Sequence, residues 1–153
     1  MKAETKLQRA RIALLIDQVF FATLLYGLKA GEDKAGITKT MATDGVRLIW
    51  NRKFVNKQPE PVLKTVLAHE ALHPALLHHL RRGERDPKNW NIAADHIVNL
   101  ILEAANDAAR AKNLQVPFEW PTDIEVYKDP AHAGKSVEQV YCDTMKQPQP
   151  EPG

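Results

Sequence analysis

Apolar positions recur at helical spacing over most of the chain. Residues 5 to 29, TKLQRARIALLIDQVFFATLLYGLK, are dense in apolar side chains, with charges at Arg9, Arg11 and Asp17. They predict one long helix, mostly buried in its second half and ended by Gly27 and Gly31. AGEDKAG (30–36) reads as a polar loop. In ITKTMATDGVRLIW (37–50) the period changes to two, and Asp44-Gly45 marks a hairpin turn before the strand Val46–Trp50. This is the only good β signal in the chain, and NRKFVNKQ leads away from it. Residues 59–83 predict a second helix, opened by proline and closed by Arg81, Arg82 and Gly83. Residues 90–112 predict a third helix. Prolines and a glycine break 113–135, and 136–146 predicts a short last helix capped by Ser136. The pattern is α+β and mainly helical. It predicts one domain over 1–146 followed by a disordered tail, QPQPEPG (147–153).

Composition narrows the chemistry. At 153 residues with 44% hydrophobic and 26% charged content, the chain can bury a real core. A net charge of +2, with basic residues scattered among 19 acids, is too mild to argue for nucleic acid. Cys142 is the single cysteine, so no internal disulfide is available and cysteine-rich zinc sites are excluded. Any metal here falls to His, Asp or Glu. The apolar run QVFFATLLYGL (18–28) has 11 residues, short of the roughly 20 that span a bilayer. No secretory signal pattern is evident. These readings predict a cytoplasmic protein without a membrane partner.

The second helix carries the densest chemistry, AHEALHPALLHHL (68–80). On a wheel at about 100° per residue, Val62, Leu63, Val66, Leu76, Leu77 and Leu80 share one side. His69 and His73 fall in its middle, Glu70 lies about 60° from its centre, and His78 and His79 point away, towards solvent. Three ionisable groups on a buried face need partners. Histidines at i and i+4 reach one metal from consecutive turns, and an adjacent glutamate can accept a proton from a metal-bound water. Residues 69–73, HEALH, fit this HExxH pattern. The competing reading is a core histidine pair satisfied by backbone or carboxylates. Pro74 removes a helical hydrogen bond, so a kink is expected there.

Catalytic zinc takes three protein ligands and a water. His79 stands ten residues after His69, but Leu76 occupies the place where a sharp turn needs glycine. The third helix is apolar on most sides except for a seam of Asp95, His96, Asn99 and Glu103. The 22 residues from His73 to Asp95 allow a return turn that lays the two helices side by side. Geometry leaves Asp95, His96 and Glu103 all open.

LAHEALHPALLHHLRRGERDPKNWNIAADHIVN (67–99) resembles the core of the bacterial and phage HExxH metallopeptidase domain that commonly precedes a von Willebrand factor A-like domain. TMATDGVRLIWNRKFV resembles that family's strand before the zinc helix, and WPTDIEVYKDPAHAGKSVEQVYCDTM its closing segment. The blocks occur in order over about residues 35 to 146. Pro74 departs from the family pattern. The resemblance implies a zincin-like fold, with the HExxH helix packed against a second metal-site helix and a small sheet. It implies a zinc-dependent peptidase with His69 and His73 as ligands and Glu70 as general base, and it favours Asp95 as third ligand. The A-like domain is absent from the sequence, so a protein partner acting in trans in its place is a further expectation.

The resulting expectation is hydrolysis of a peptide or protein substrate by a zinc-bound water activated by Glu70. Val46–Trp50 is either the substrate-binding strand or a plain structural hairpin. Tyr127, Tyr141 and His96 are candidates for the oxyanion partner. The rival readings are a zinc-stabilised interaction module without turnover and a nucleic-acid binder using Arg81, Arg82, Arg85 and Lys88.

Overall fold

A computed structural model describes residues 1–76 and 78–146. The expected tail 147–153 lies outside the described residues. The described residues are mainly helical, with a small three-stranded sheet.

The first helical pattern forms two helices, α1 (Ala3–Asp17) and α2 (Val19–Tyr26). Gln18 leaves the helical region at φ −139° and ψ 70°. The buried positions Leu7, Leu14, Phe21 and Leu25 form one stripe, and Gln18 falls on it. A continuous helix would bury this amide, so the break keeps it half-exposed. The expectation of a mostly buried second half is corrected. Phe21, Ala22 and Leu25 are buried, but Ile16, Val19 and Phe20 are exposed.

The expected hairpin is present. β2 (Met41–Thr43) pairs antiparallel with β3 (Arg47–Trp50). Asp44 Oδ1 accepts from the N–H groups of Val46 and Arg47 at 2.9 and 2.7 Å, and Gly45 adopts φ 94°. The segment expected as a loop contributes β1 (Lys29–Glu32), which pairs parallel to β3. The sheet order is β1-β3-β2, so β3 is central and β2 is an edge. Residues after β3 form a short helix, α3 (Arg52–Lys57), which the sequence pattern did not predict. Asn51 Oδ1 caps it by accepting from Phe54 N–H at 3.0 Å.

The histidine-bearing segment divides into α4 (Glu60–Ala75) and a single turn, α5 (His78–Arg81). Pro74 stands in the last turn of α4 and the helix stops one residue later. Leu76 therefore ends the helix, contrary to the expectation that it continues one. Leu80, placed on the apolar side by the wheel, is 70% exposed because the wheel loses phase at this break.

The third helix, α6 (Pro87–Ala111), starts three residues earlier than expected, with Pro87 in its first turn. Its cap is Asp86, whose carboxylate accepts from Asn89 N–H at 2.9 Å. The last helix, α7 (Val137–Lys146), has the expected cap at Ser136. Ser136 Oγ accepts from Gln139 N–H while Gln139 Oε1 accepts from Ser136 N–H, a reciprocal capping box.

The main core lies between α1, α2, α4, the sheet and the C-terminal half of α6, and includes Leu14, Leu48, Leu63, Leu67 and Leu102. A second cluster, Trp90, Ala93, Ala94, Val137 and Val140, joins the N-terminal half of α6 to α7. Thus α4 is held from the first cluster, α6 from both, and Asp95 and Asn99 of the polar seam of α6 face α4 where they meet.

Candidate metal centre

Two helices bring the site together. On α4, His69 and His73 stand one turn apart on the same face. On α6, Asp95 and Asn99 stand one turn apart and face them. His69 meets Asn99 and Asp95, and His73 meets Asp95, the order of an antiparallel pair.

Asp95 Oδ1 lies 3.1 Å from the Nε2 atoms of both His69 and His73, and those two nitrogens lie 2.9 Å apart. A tetrahedral zinc with donor bonds of about 2.0–2.1 Å has donor–donor edges of about 3.3 Å. The three atoms therefore already approach one triangular face of such a site. Among the described residues, these three alone form a group of ligating side chains able to hold a metal.

The tautomer of His69 follows from its neighbour. Asn99 Nδ2 donates to the carbonyl of Tyr127 at 2.9 Å, which turns its Oδ1 towards His69 Nδ1 at 2.7 Å. An amide oxygen only accepts, so His69 Nδ1 carries the hydrogen. In the neutral ring, Nε2 is left with its lone pair towards Asp95 and His73, as a ligand nitrogen must be. The electrostatics agree with a strongly anionic pocket. Burial opposes the imidazolium of His69, but Asp95, Glu70 and Asn99 outweigh it and raise its pKa to about 9. Burial likewise opposes the Asp95 carboxylate, yet hydrogen bonds from His69 and His73 hold its pKa well below the usual range. A divalent cation would supply the positive charge that this pocket otherwise takes from protons.

Glu70 projects beside the donors. Burial pushes its carboxyl upward and Asp95 adds to this, against the opposing pull of His69 and His73. Its carboxylate has no hydrogen-bond partner among the described residues. The donors and Glu70 open on a cavity of about 500 Å³. Its walls include residues 40–43, Trp120, Tyr127, His79 and Arg82.

The other sequence candidates have different places. His79 is exposed, with its ring against Gly45, where a Cβ would meet Nε2 at 2.8 Å. His96 accepts from Asp129 N–H at 3.1 Å and lines a different cavity with His132. Glu103 is tied to Arg110, Trp120 and Lys128. Tyr127 is on the wall of the donor cavity, whereas the Tyr141 hydroxyl accepts from Asp86 N–H and its ring packs on Trp90. Two members of the basic cluster have internal partners: Arg81 binds Glu138, and Arg85 lies over the rings of Trp90 and Tyr141. The expectation for His78 is corrected. It is 4% exposed, and its Nδ1 lies 3.1 Å from His73 Nδ1. The wheel could not place it, because its approach depends on the end of α4 at Ala75 and the separate turn of α5. Asn99 stood in the polar seam, but its link to His69 required the partner helix. No helix among the described residues is long and apolar enough to cross a membrane.

The chain is similar to an uncharacterized protein of Thermotoga maritima, 30% identical over 108 residues, which are 67% of this chain and 27% of that relative. The chain thus spans about a quarter of that protein's length. No solved structure matches. The model of the family described as "Putative metallopeptidase domain" matches residues 2–150, a span that contains both helices of the candidate metal centre, and the chain belongs to that family.

Proposed function

We propose that the protein is a zinc-dependent peptidase in which His69, His73 and Asp95 hold the metal and Glu70 is the general base. The observation that carries this reading is the meeting of three donor atoms within 3.1 Å at the wall of a cavity that Glu70 also lines. Three protein ligands leave a fourth position, as catalytic rather than structural zinc sites do. Bound zinc would polarise the scissile carbonyl and lower the pKa of a water towards about 7.

The chain's own groups do the rest. Glu70 accepts a proton from the attacking water and passes it to the leaving amine. A carboxyl lifted by burial suits that exchange near neutral pH. The substrate strand is reassigned from β3 to β2. β3 is paired on both sides, whereas β2 is the edge and lines the cavity with residues 41–43. An extended peptide can add to such an edge through main-chain hydrogen bonds. Of the three oxyanion candidates, Tyr127 alone lines this cavity, with its hydroxyl donating to Glu125 Oε2 at 3.1 Å. We assign it that role.

The test is Glu70→Gln, assayed on peptide libraries with zinc content measured in parallel. Retained zinc with hydrolysis reduced about 10²- to 10⁴-fold is expected for loss of a general base. Undiminished hydrolysis would remove Glu70 from the mechanism. A zinc-loaded wild type inactive on every library would favour an interaction module without turnover.

A further inference from the structure

His78 lies outside the HExxH motif, yet it is among the most buried polar side chains of the described residues at 4% exposure. Its ring packs edge-on against His73, with centroids 5.3 Å apart, and the two Nδ1 atoms lie at 3.1 Å. One of these nitrogens donates and the other accepts. If His73 Nε2 is to offer a lone pair to a metal, its Nδ1 must carry the hydrogen. His78 Nδ1 is then the acceptor, and His78 carries its own hydrogen on Nε2.

The surroundings of His78 fix this contact from several sides. Its carbonyl accepts from the buried Trp90 Nε1–H at 2.9 Å, which ties α5 to α6. Three residues on, Arg81 donates to Leu76 O at 2.9 Å and binds Glu138 of α7. In an unbroken helix, a residue five positions after His73 would point about 140° away from it. The end of α4 after Pro74 and the turn of α5 bring it back.

We propose that His78 is a positioning residue for the metal centre, holding the His73 ring and fixing its Nδ1–H tautomer, as Asn99 does for His69. The inference rests on the zinc reading. It gives the break after Pro74 a purpose at the site: each metal-binding histidine of α4 has its far nitrogen held by a residue of a different element. Partners of this kind typically change metal affinity by about 10- to 100-fold when removed.

The test compares the zinc affinity of wild type, His78→Phe and His78→Asn by competition with a chromophoric chelator at one pH. Phe keeps the aromatic volume without an acceptor, and Asn returns an acceptor near the Nδ1 position. The expected result is a loss of about 10- to 100-fold for His78→Phe, with most of it recovered in His78→Asn. A folded His78→Phe protein with wild-type affinity would overturn the inference and leave the zinc site standing. Wild type that binds no zinc would overturn both. Should His78→Phe fail to fold, nitrogen-15 correlation spectra of the zinc-loaded wild type decide. They support the inference if His73 carries hydrogen on Nδ1 and His78 on Nε2, and any other pairing overturns it.

Discussion

Asp95 and Glu103 lie on the same polar seam of α6, about two turns apart, and the sequence left both open as metal ligands. Glu103 accepts from Arg110 Nη1 at 2.9 Å, Trp120 Nε1 at 2.7 Å and Lys128 Nζ at 3.2 Å. Each donor carries a permanent hydrogen, and together they tie residues 120–128 to the helix. Asp95 meets two imidazole nitrogens, which offer either a hydrogen or a lone pair. An acid surrounded by obligate donors is a structural anchor. An acid sharing one point with two potential lone pairs fits the metal ligand that we propose. The contrast comes from the partners, since the two acids sit on similar faces of one helix.

Metal removal should break that symmetry most strongly. Zinc at a thousandfold its dissociation constant stabilises the folded state by about 4 kcal/mol. That corresponds to a fall of several degrees or more in melting temperature on chelation. We expect Asp95→Ala to abolish this chelator response and Glu103→Gln to retain it, as measured by thermal melts with analytically confirmed zinc content. Asp95→Ala melting with an undiminished response would return the third ligand to the open candidates.

A smaller effect, on the order of tenfold per pH unit, should appear in zinc affinity. His69 holds a proton up to about pH 9 in the metal-free protein, and zinc must displace it. Affinity should therefore rise from pH 6 to about 9 and flatten above, in titrations at fixed ionic strength. A pH-independent affinity over that range would contradict the assignment. The stability of the metal-free protein should move the opposite way. A pKa raised on folding gives His69 a contribution that is full below its ordinary value near 6.5 and lost as pH rises through about 9. Glu103 has the reverse sign. Burial opposes its charge, but Arg110, Trp120 and Lys128 outweigh it and lower its pKa. Its contribution is full above the ordinary carboxylate value and fades only as pH falls through the lowered one.

Glu103→Gln should give the smallest change. Weakening a charged hydrogen-bonded acceptor costs about 1–3 kcal/mol. Denaturant melts should show that loss while zinc affinity stays within a few-fold of wild type. A large fall in affinity would mean that the segment 120–128 is coupled to the metal centre, through Tyr127 O and Asn99.

Much of this was legible in the chain. Helical period marked α4, α6 and α7, with the proline start of α4 and the Ser136 cap of α7 as further signals, because a helix declares itself through contacts three and four residues apart. Asp44-Gly45 marked the hairpin for the same local reason. The HExxH spacing put His69 and His73 on one face and Glu70 beside them. β1 was not legible, because KAGE carries no alternation and is a strand only through its pairing with β3. Nor was the break at Gln18, which depends on which face of α1 and α2 meets the core.

The sequence by itself determined the donor types, the pair of histidines one turn apart and the polar seam of α6, since these are fixed by residue identity and helical pitch. Only the tertiary structure decided which member of that seam meets them. The register of α6 against α4, set by apolar packing on either side of the seam, places Asp95 at the two nitrogens and Glu103 among cations two turns away. The return of His78 onto His73 was decided in the same way, by a helix end and anchors on α6 and α7 that lie far along the chain.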